Sequence, residues 1–145
     1  MSTDTPPRSA GASLFLAWLV ALVATAGALF LGEVTGKTPC LLCWYQRIAM
    51  FPLVVVLGVG VFDGDARSVR YALPLAWAGL GLALYHSLLF WRVINEALSP
   101  CQQGVSCADA DLQVAGFVHI PLLSLLAFTA ILVLLLSNRK KGGRS

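Results

Sequence analysis

Charge is what this sequence has least of. Asp, Glu, Lys and Arg make up 12% of its 145 residues, against about 25% in an ordinary soluble domain. Hydrophobic residues make up 58%, and mean hydropathy is +0.80. So few charges cannot cover that apolar surface in water, which excludes an ordinary soluble domain and leaves lipid as its solvent. Net charge is only +3, with basic residues scattered or terminal, so nucleic-acid binding has no support. No internal repeat or low-complexity stretch is present, and the length suits a single domain over 1–145.

What the chain does contain is four long apolar runs, at about 13–32, 42–62, 71–91 and 116–136. The first carries no charge and the second is interrupted only by Gln46 and Arg47. The third holds His86 as its one ionisable side chain apart from tyrosine, and the fourth holds only His119. A helix needs about 20 apolar residues to cross the hydrocarbon, and its backbone satisfies its own hydrogen bonds there. These runs predict an all-α membrane protein, a four-transmembrane-helix bundle. A cleaved signal peptide is the rival reading of the first run, with Arg8 before it and Ala24-Thr25-Ala26 or Ala26-Gly27-Ala28 as cleavage sites. Against it, the run continues through Phe30 and Leu31, and small residues also serve helix packing in lipid.

Lys and Arg set the orientation. The N-terminal tail, second loop and C-terminal tail hold Arg8, Arg67, Arg70, Arg139, Lys140, Lys141 and Arg144, whereas the first and third loops hold only Lys37 and Arg92. Both termini are therefore expected in the cytoplasm, with loops 33–41 and 92–115 on the outer face.

Cysteines are few, and their placement is informative. Cys40 and Cys43 fall where the first loop enters the second helix, and Cys101 and Cys107 fall in the third loop. None lies deep in the bundle or on the cytoplasmic side, which speaks against relay of a reductant across the membrane. An even number on an oxidising side suggests disulfides. Thr38 can cap the second helix with Pro39 at its first position, which would place Cys40 in the first turn and Cys43 on the same face. Helix N-termini favour thiolates, and Arg47, four residues after Cys43, adds positive charge. Spacing and compartment favour redox chemistry; structural disulfides, or a zinc site built from all four cysteines, are the competing readings.

Arg47 lies seven residues beyond Cys40, roughly 10 Å along a helix. It can snorkel to the headgroups or serve chemistry. His86, five residues before Trp91, reaches a similar depth from the third helix. Two ionisable groups at one depth beneath a C-x-x-C pair favour a functional reading. His119, followed by Pro121 as a kink candidate, reads as structural or interfacial. The inner halves, LVVVLGVGVF and LAFTAILVLLL, offer no comparable polar cluster. An acceptor that dissolves in lipid, takes two electrons and presents carbonyls near the surface would fit such a site, and a quinone meets that description. Arg47 can hydrogen-bond a quinone oxygen, and His86 can assist or pass protons.

PCLLCWYQR opening the second helix, YHSLL near the end of the third, a C-x5-C loop and GFVHIP opening the fourth together resemble the DsbB family of disulfide bond formation proteins. The short third loop is similar to the compact branch often called BdbC. The likeness covers about residues 13–136. It implies a quinone-dependent protein-dithiol oxidoreductase of the bacterial cytoplasmic (inner) membrane, with quinone (ubiquinone or menaquinone) as cofactor. By this resemblance Cys40 and Cys43 pass electrons to quinone, Cys43 lying nearest the ring, with Arg47 and His86 beside it. Cys101 and Cys107 form the mobile-loop pair, and Cys101 makes the mixed disulfide with a soluble thioredoxin-fold oxidase resembling DsbA. Cys107 and Cys40 would pair transiently during relay.

Longer members carry an extended stretch between the loop cysteines. Here only QQGVS separates them, and Gly104 suits a tight turn. Membrane enzymes of the vitamin K epoxide-reducing type share a four-helix bundle and C-x-x-C, but a C-x-x-C opening the second helix fits the DsbB-like order better. No metal is expected on this reading. The alternative from another class is a non-catalytic membrane scaffold with structural disulfides.

Overall fold

The computed structural model describes residues 8–34, 36, 39–95, 113–114 and 118–142. Cys101 and Cys107 lie outside the described residues. Four helices account for nearly all of the described chain: α1 at Arg8–Leu29, α2 at Leu41–Asp63, α3 at Ser68–Phe90 and α4 at Ile120–Gly142. A wider π turn, Phe30–Val34, prolongs α1. All four helices are long and apolar enough to cross a membrane.

Consecutive helices α1–α2, α2–α3 and α3–α4 pack together, and α4 closes the ring on α1. Asn138 near the end of α4 donates a 3.2 Å hydrogen bond to Ser13 near the start of α1. The start of α1 and the end of α4 therefore lie at one end of the bundle. The seam between helices is built from small side chains: Ala17, Ala21, Ala72, Ala76 and Ala83 are fully buried, as suits association in lipid, where close backbone approach replaces the hydrophobic drive. Gly79 on α3 belongs to the same logic, because a Cβ there would collide with the Phe128 ring of α4. Leu53, Leu57, Ile131 and Leu135 fill the remaining interior. Outward lie Val23, Ile48, Val55, Phe62 and Tyr71, all exposed, the apolar exterior a lipid-facing bundle requires.

Pro52 and Pro74 sit inside α2 and α3, each removing one backbone N–H, which neighbouring helices make tolerable in a membrane. Between these helices the chain turns on Gly64, whose φ of 67° is left-handed, and the following N–H of Asp65 returns to the Gly60 carbonyl at 3.1 Å.

Two regions account for the main differences from the expected helix boundaries. The fourth helix begins at Ile120 rather than 116, because Val118–His119 pairs antiparallel with Gln113–Val114 to form a two-residue ribbon (strands β2 and β1). His119 thus precedes the helix, its ring 4.6 Å from that of Phe90. Pro121 is the second residue of α4 and makes no kink, since its missing N–H falls in the first turn, where it has no helical partner. The other difference is at the helix ends facing away from the cysteines. There α1 starts at Arg8 and α4 runs to Gly142, because leaving the hydrocarbon does not by itself end a helix whose backbone hydrogen bonds are internal.

Candidate active site

The second helix starts two residues later than the capping expectation. Cys40, not Thr38, is its N-cap: φ −68° and ψ 166° are extended, and its carbonyl accepts the first helical bond from Trp44 N–H at 3.1 Å. The Cys40 sulfur stands where a serine or aspartate oxygen usually does, accepting the Cys43 N–H at 3.4 Å. C-x-x-C spacing therefore sets one sulfur on the cap and the other at the third helical position, with Sγ atoms 2.8 Å apart and both cysteines as free thiols. Leu42 and Leu89 pack around the pair, with Tyr85, Ile94 and Ile120 at the edge.

On the α3 side, His86 Nε2 lies 3.7 Å from Cys40 Sγ and His86 Nδ1 lies 3.3 Å from Gln46 Nε2. His86 is fully buried. Cys40, just outside the spanning segment, has its thiol held well below the ordinary cysteine value. The hydrogen bond from the Cys43 thiol is the largest cause and His86 adds to it, while burial opposes both.

On the other side, Arg47 turns toward α1. Its Nη2 donates a 2.6 Å bond to the Ala28 carbonyl. That carbonyl belongs to the last α-helical turn before the π turn. The guanidinium lies 5.4 Å from the Trp44 ring centroid and rests on Gly32, where a Cβ would come within 2.7 Å of Nη2.

A cavity of about 530 Å³ opens beside this arginine, walled by α1, α2 and α4. That volume is typical of a small-molecule site. Its wall is overwhelmingly apolar, with Cys43, Gln46 and Arg47 among its few polar side chains. Thr25 also lines it, and its Oγ1 is buried without a hydrogen-bond partner. Thr129, by comparison, donates to its own helix at Leu125 O, 2.7 Å away. A buried hydroxyl left unpaired costs about 1–3 kcal/mol. An apolar chamber with a thiol and a guanidinium near one end, and an orphaned hydroxyl one turn below Ala28, suits a flat, lipid-soluble molecule carrying two carbonyls. The residues present fit a quinone.

Of the residues singled out from sequence, Cys40, Cys43, Arg47 and His86 converge at one end of the bundle, while His119 stands apart against Phe90. The structure also separates two that were expected together: Arg47 lines the cavity, whereas His86 does not. It stands behind Cys40. Gln46 and Thr25 were missed. Gln46 carried a signal, being a polar side chain inside a span beside Arg47. Thr25 carried none, because threonine is common in such helices and usually bonds its own backbone.

The family model described as "Disulfide bond formation protein DsbB" matches residues 10–137. A probable disulfide formation protein of Metapseudomonas resinovorans is 46% identical over 129 residues, covering 88% of this chain and 90% of the relative. Disulfide bond formation protein C of Bacillus subtilis (strain 168) is 41% identical over 120 residues, 83% and 87% respectively. A probable disulfide formation protein of Deinococcus radiodurans is 40% identical over 136 residues, 88% and 89%. No solved structure matches significantly. With a family match spanning nearly all of the chain and relatives this similar, the chain belongs to the DsbB family of disulfide bond formation proteins.

Proposed function

We propose that this protein is a membrane thiol:quinone oxidoreductase that reoxidises a soluble thioredoxin-fold dithiol oxidase, DsbA-like, outside the cytoplasm. Family membership already carries the coarser part, thiol oxidoreductase activity in disulfide bond formation. The observation that supports the finer part is the cavity bordered by Cys43 and Arg47, with the unpaired Thr25 hydroxyl in its wall.

Electrons enter at the Cys101–Cys107 disulfide, where the partner's thiolate attacks Cys101. Thiol–disulfide exchange leaves the partner oxidised and the loop pair reduced. The loop pair then reduces the Cys40–Cys43 disulfide by the same chemistry. A quinone supplies the two-electron, two-proton acceptor, so the net reaction is dithiol plus quinone to disulfide plus quinol. In this scheme Cys43, on the cavity wall, is the donor. Arg47 supplies the fixed positive charge and hydrogen bonds for a carbonyl oxygen, with its own aim set by Ala28 O and Gly32. Cys40 stores the thiolate, held by the Cys43 donors and His86. Leu42 and Leu89 keep water from the sulfurs. The membrane is the bacterial cytoplasmic membrane, both termini are cytoplasmic, and the cysteine loops face outward.

The test is quinone reduction by the purified protein given a reduced thioredoxin-fold oxidase. Stoichiometric quinol and partner disulfide, abolished by Cys43→Ser, are expected. Folded protein with intact disulfides that reduces neither ubiquinone nor menaquinone with several partners would instead favour a scaffold stapled by structural disulfides.

A further inference from the structure

The spacing of the four cysteines pointed away from a metal, but the fold adds a donor that spacing did not contain. Cys40 Sγ, Cys43 Sγ and a ring nitrogen of His86 all lie within 4.8 Å of one another, and all three residues are buried. We infer that the reduced C-x-x-C pair and His86 form a zinc site, so that Zn²⁺ holds this protein in its dithiol state. Cobalt(II) is the spectroscopic stand-in.

Three features carry this beyond a coincidence of donor types. The first is charge. Two thiolates and a neutral imidazole around Zn²⁺ sum to zero, the combination that a buried site at a membrane surface accommodates with least desolvation cost. The second is reach. Zinc takes sulfur at about 2.3 Å and nitrogen at about 2.0 Å, so tetrahedral donors stand roughly 3.5–3.8 Å apart. His86 Nε2 and Cys40 Sγ, at 3.7 Å, already do. The two sulfurs, at 2.8 Å, must open by a side-chain rotation, and Cys43 borders a cavity with room for it.

The third feature is Gln46. Histidines that bind metal through one nitrogen almost always donate the other N–H to an acceptor. Gln46 faces that other nitrogen, Nδ1, at 3.3 Å. Its amide offers N–H to an Nδ1 lone pair when Nε2–H faces the Cys40 sulfur. Turned end for end, it offers a carbonyl to Nδ1–H and frees the Nε2 lone pair for zinc. One side chain thus supports both the metal-free and the metal-bound imidazole. The trio provides three donors, leaving the fourth position to water, as in three-ligand zinc sites. Thiol protons leave as zinc enters and nothing is oxidised. The site exists only in the dithiol form, since a disulfide leaves no thiolates to bind. Zinc would therefore block reoxidation of the pair, and a chelator would restore it. This inference does not rest on quinone being the acceptor.

The test uses the full chain with Cys101→Ser and Cys107→Ser, reduced, freed of reductant and without quinone. Cobalt(II) is titrated anaerobically and then displaced with zinc. One equivalent with sulfur-to-cobalt charge-transfer bands, lost on zinc addition and absent from the disulfide form, is expected. Gln46→Leu should weaken binding about 10- to 100-fold, the usual effect of removing such a partner. His86→Ala should weaken it further; because His86 is fully buried and its loss can cost the fold, Cys43→Ala on the cavity wall is the second ligand variant. Equal uptake by the dithiol and disulfide forms, or uptake unchanged in Cys43→Ala and Gln46→Leu, would overturn the site.

Discussion

The two faces of α2 handle polar groups in opposite ways. Toward α3, Cys40 and Gln46 meet His86, one at each ring nitrogen. Toward α1 and α4, Cys43 and Arg47 border a cavity whose wall carries an unpaired hydroxyl. Of two adjacent residues, Arg47 reaches across to α1, whereas Gln46 meets His86 on α3 and also borders the cavity. The closed face, on the α3 side, tunes Cys40 and, in the dithiol state, holds donors of the proposed zinc site, whereas the open face, toward α1 and α4, has the volume for an organic ligand. The two-residue sulfur contact joins them. A C-x-x-C pair at a helix N-terminus is asymmetric for a structural reason: one sulfur is a cap and the other belongs to a helix wall.

The sharpest break of that comparison is Cys43→Ser. It removes the one thiol among the described residues lining the open face and should abolish quinol formation, measured with reduced partner in excess. Next is Arg47→Ala, which takes charged donors from the chamber. A hydrogen bond to a charged group contributes about 1.5–3 kcal/mol, so the quinone KM should rise roughly 10- to 100-fold. Arg47→Lys, which keeps the charge but not the planar fork, should recover part of this.

His86→Ala tests the closed face and should leave quinone KM nearly unchanged. Its readout is the ultraviolet thiolate absorbance of the reduced protein against pH. The depressed Cys40 value should climb toward the ordinary one, and Cys43→Ala should move it further, because the Cys43 thiol is the larger cause. The sign for stability follows. A lowered folded value gives stabilisation that is complete above the ordinary thiol pKa and lost as pH falls through the folded one. Thermal melts of the reduced protein should therefore worsen on acidification more than those of the disulfide form. A KM shift as large as that of Arg47→Ala would instead place His86 on the open face.

The smallest expected effect is Thr25→Val. The neutral hydroxyl contributes about 0.5–1.5 kcal/mol, so a quinone KM about two- to tenfold higher is expected, with no change in Cys40 ionisation. Unchanged KM would mean that the hydroxyl is simply an unpaired group in a helix.

Much of this molecule was written along the chain. Four charge-poor runs of bilayer length dictate four helices, because lipid leaves the backbone no other way to satisfy its hydrogen bonds. C-x-x-C beside Thr38-Pro39 marks a helix start, even though the cap proved to be Cys40 itself. Arg47 and His86 stood out because ionisable groups are rare inside spans. The start of α4 was misread by four residues, since hydropathy cannot distinguish a short strand pair at 118–119 from the first turn of an apolar helix.

Only the tertiary structure decided which side of α2 each of these residues serves. Depth along a helix follows from counting residues, which is why Arg47 and His86 were expected near one level. Direction around the bundle depends on which helices are neighbours, and that is set by packing of Ala and Gly positions against residues such as Phe128. The same packing leaves the Thr25 hydroxyl without a partner and the cavity beside it. Neither can be read from a single helix, because a void is a property of what the neighbouring helices fail to fill.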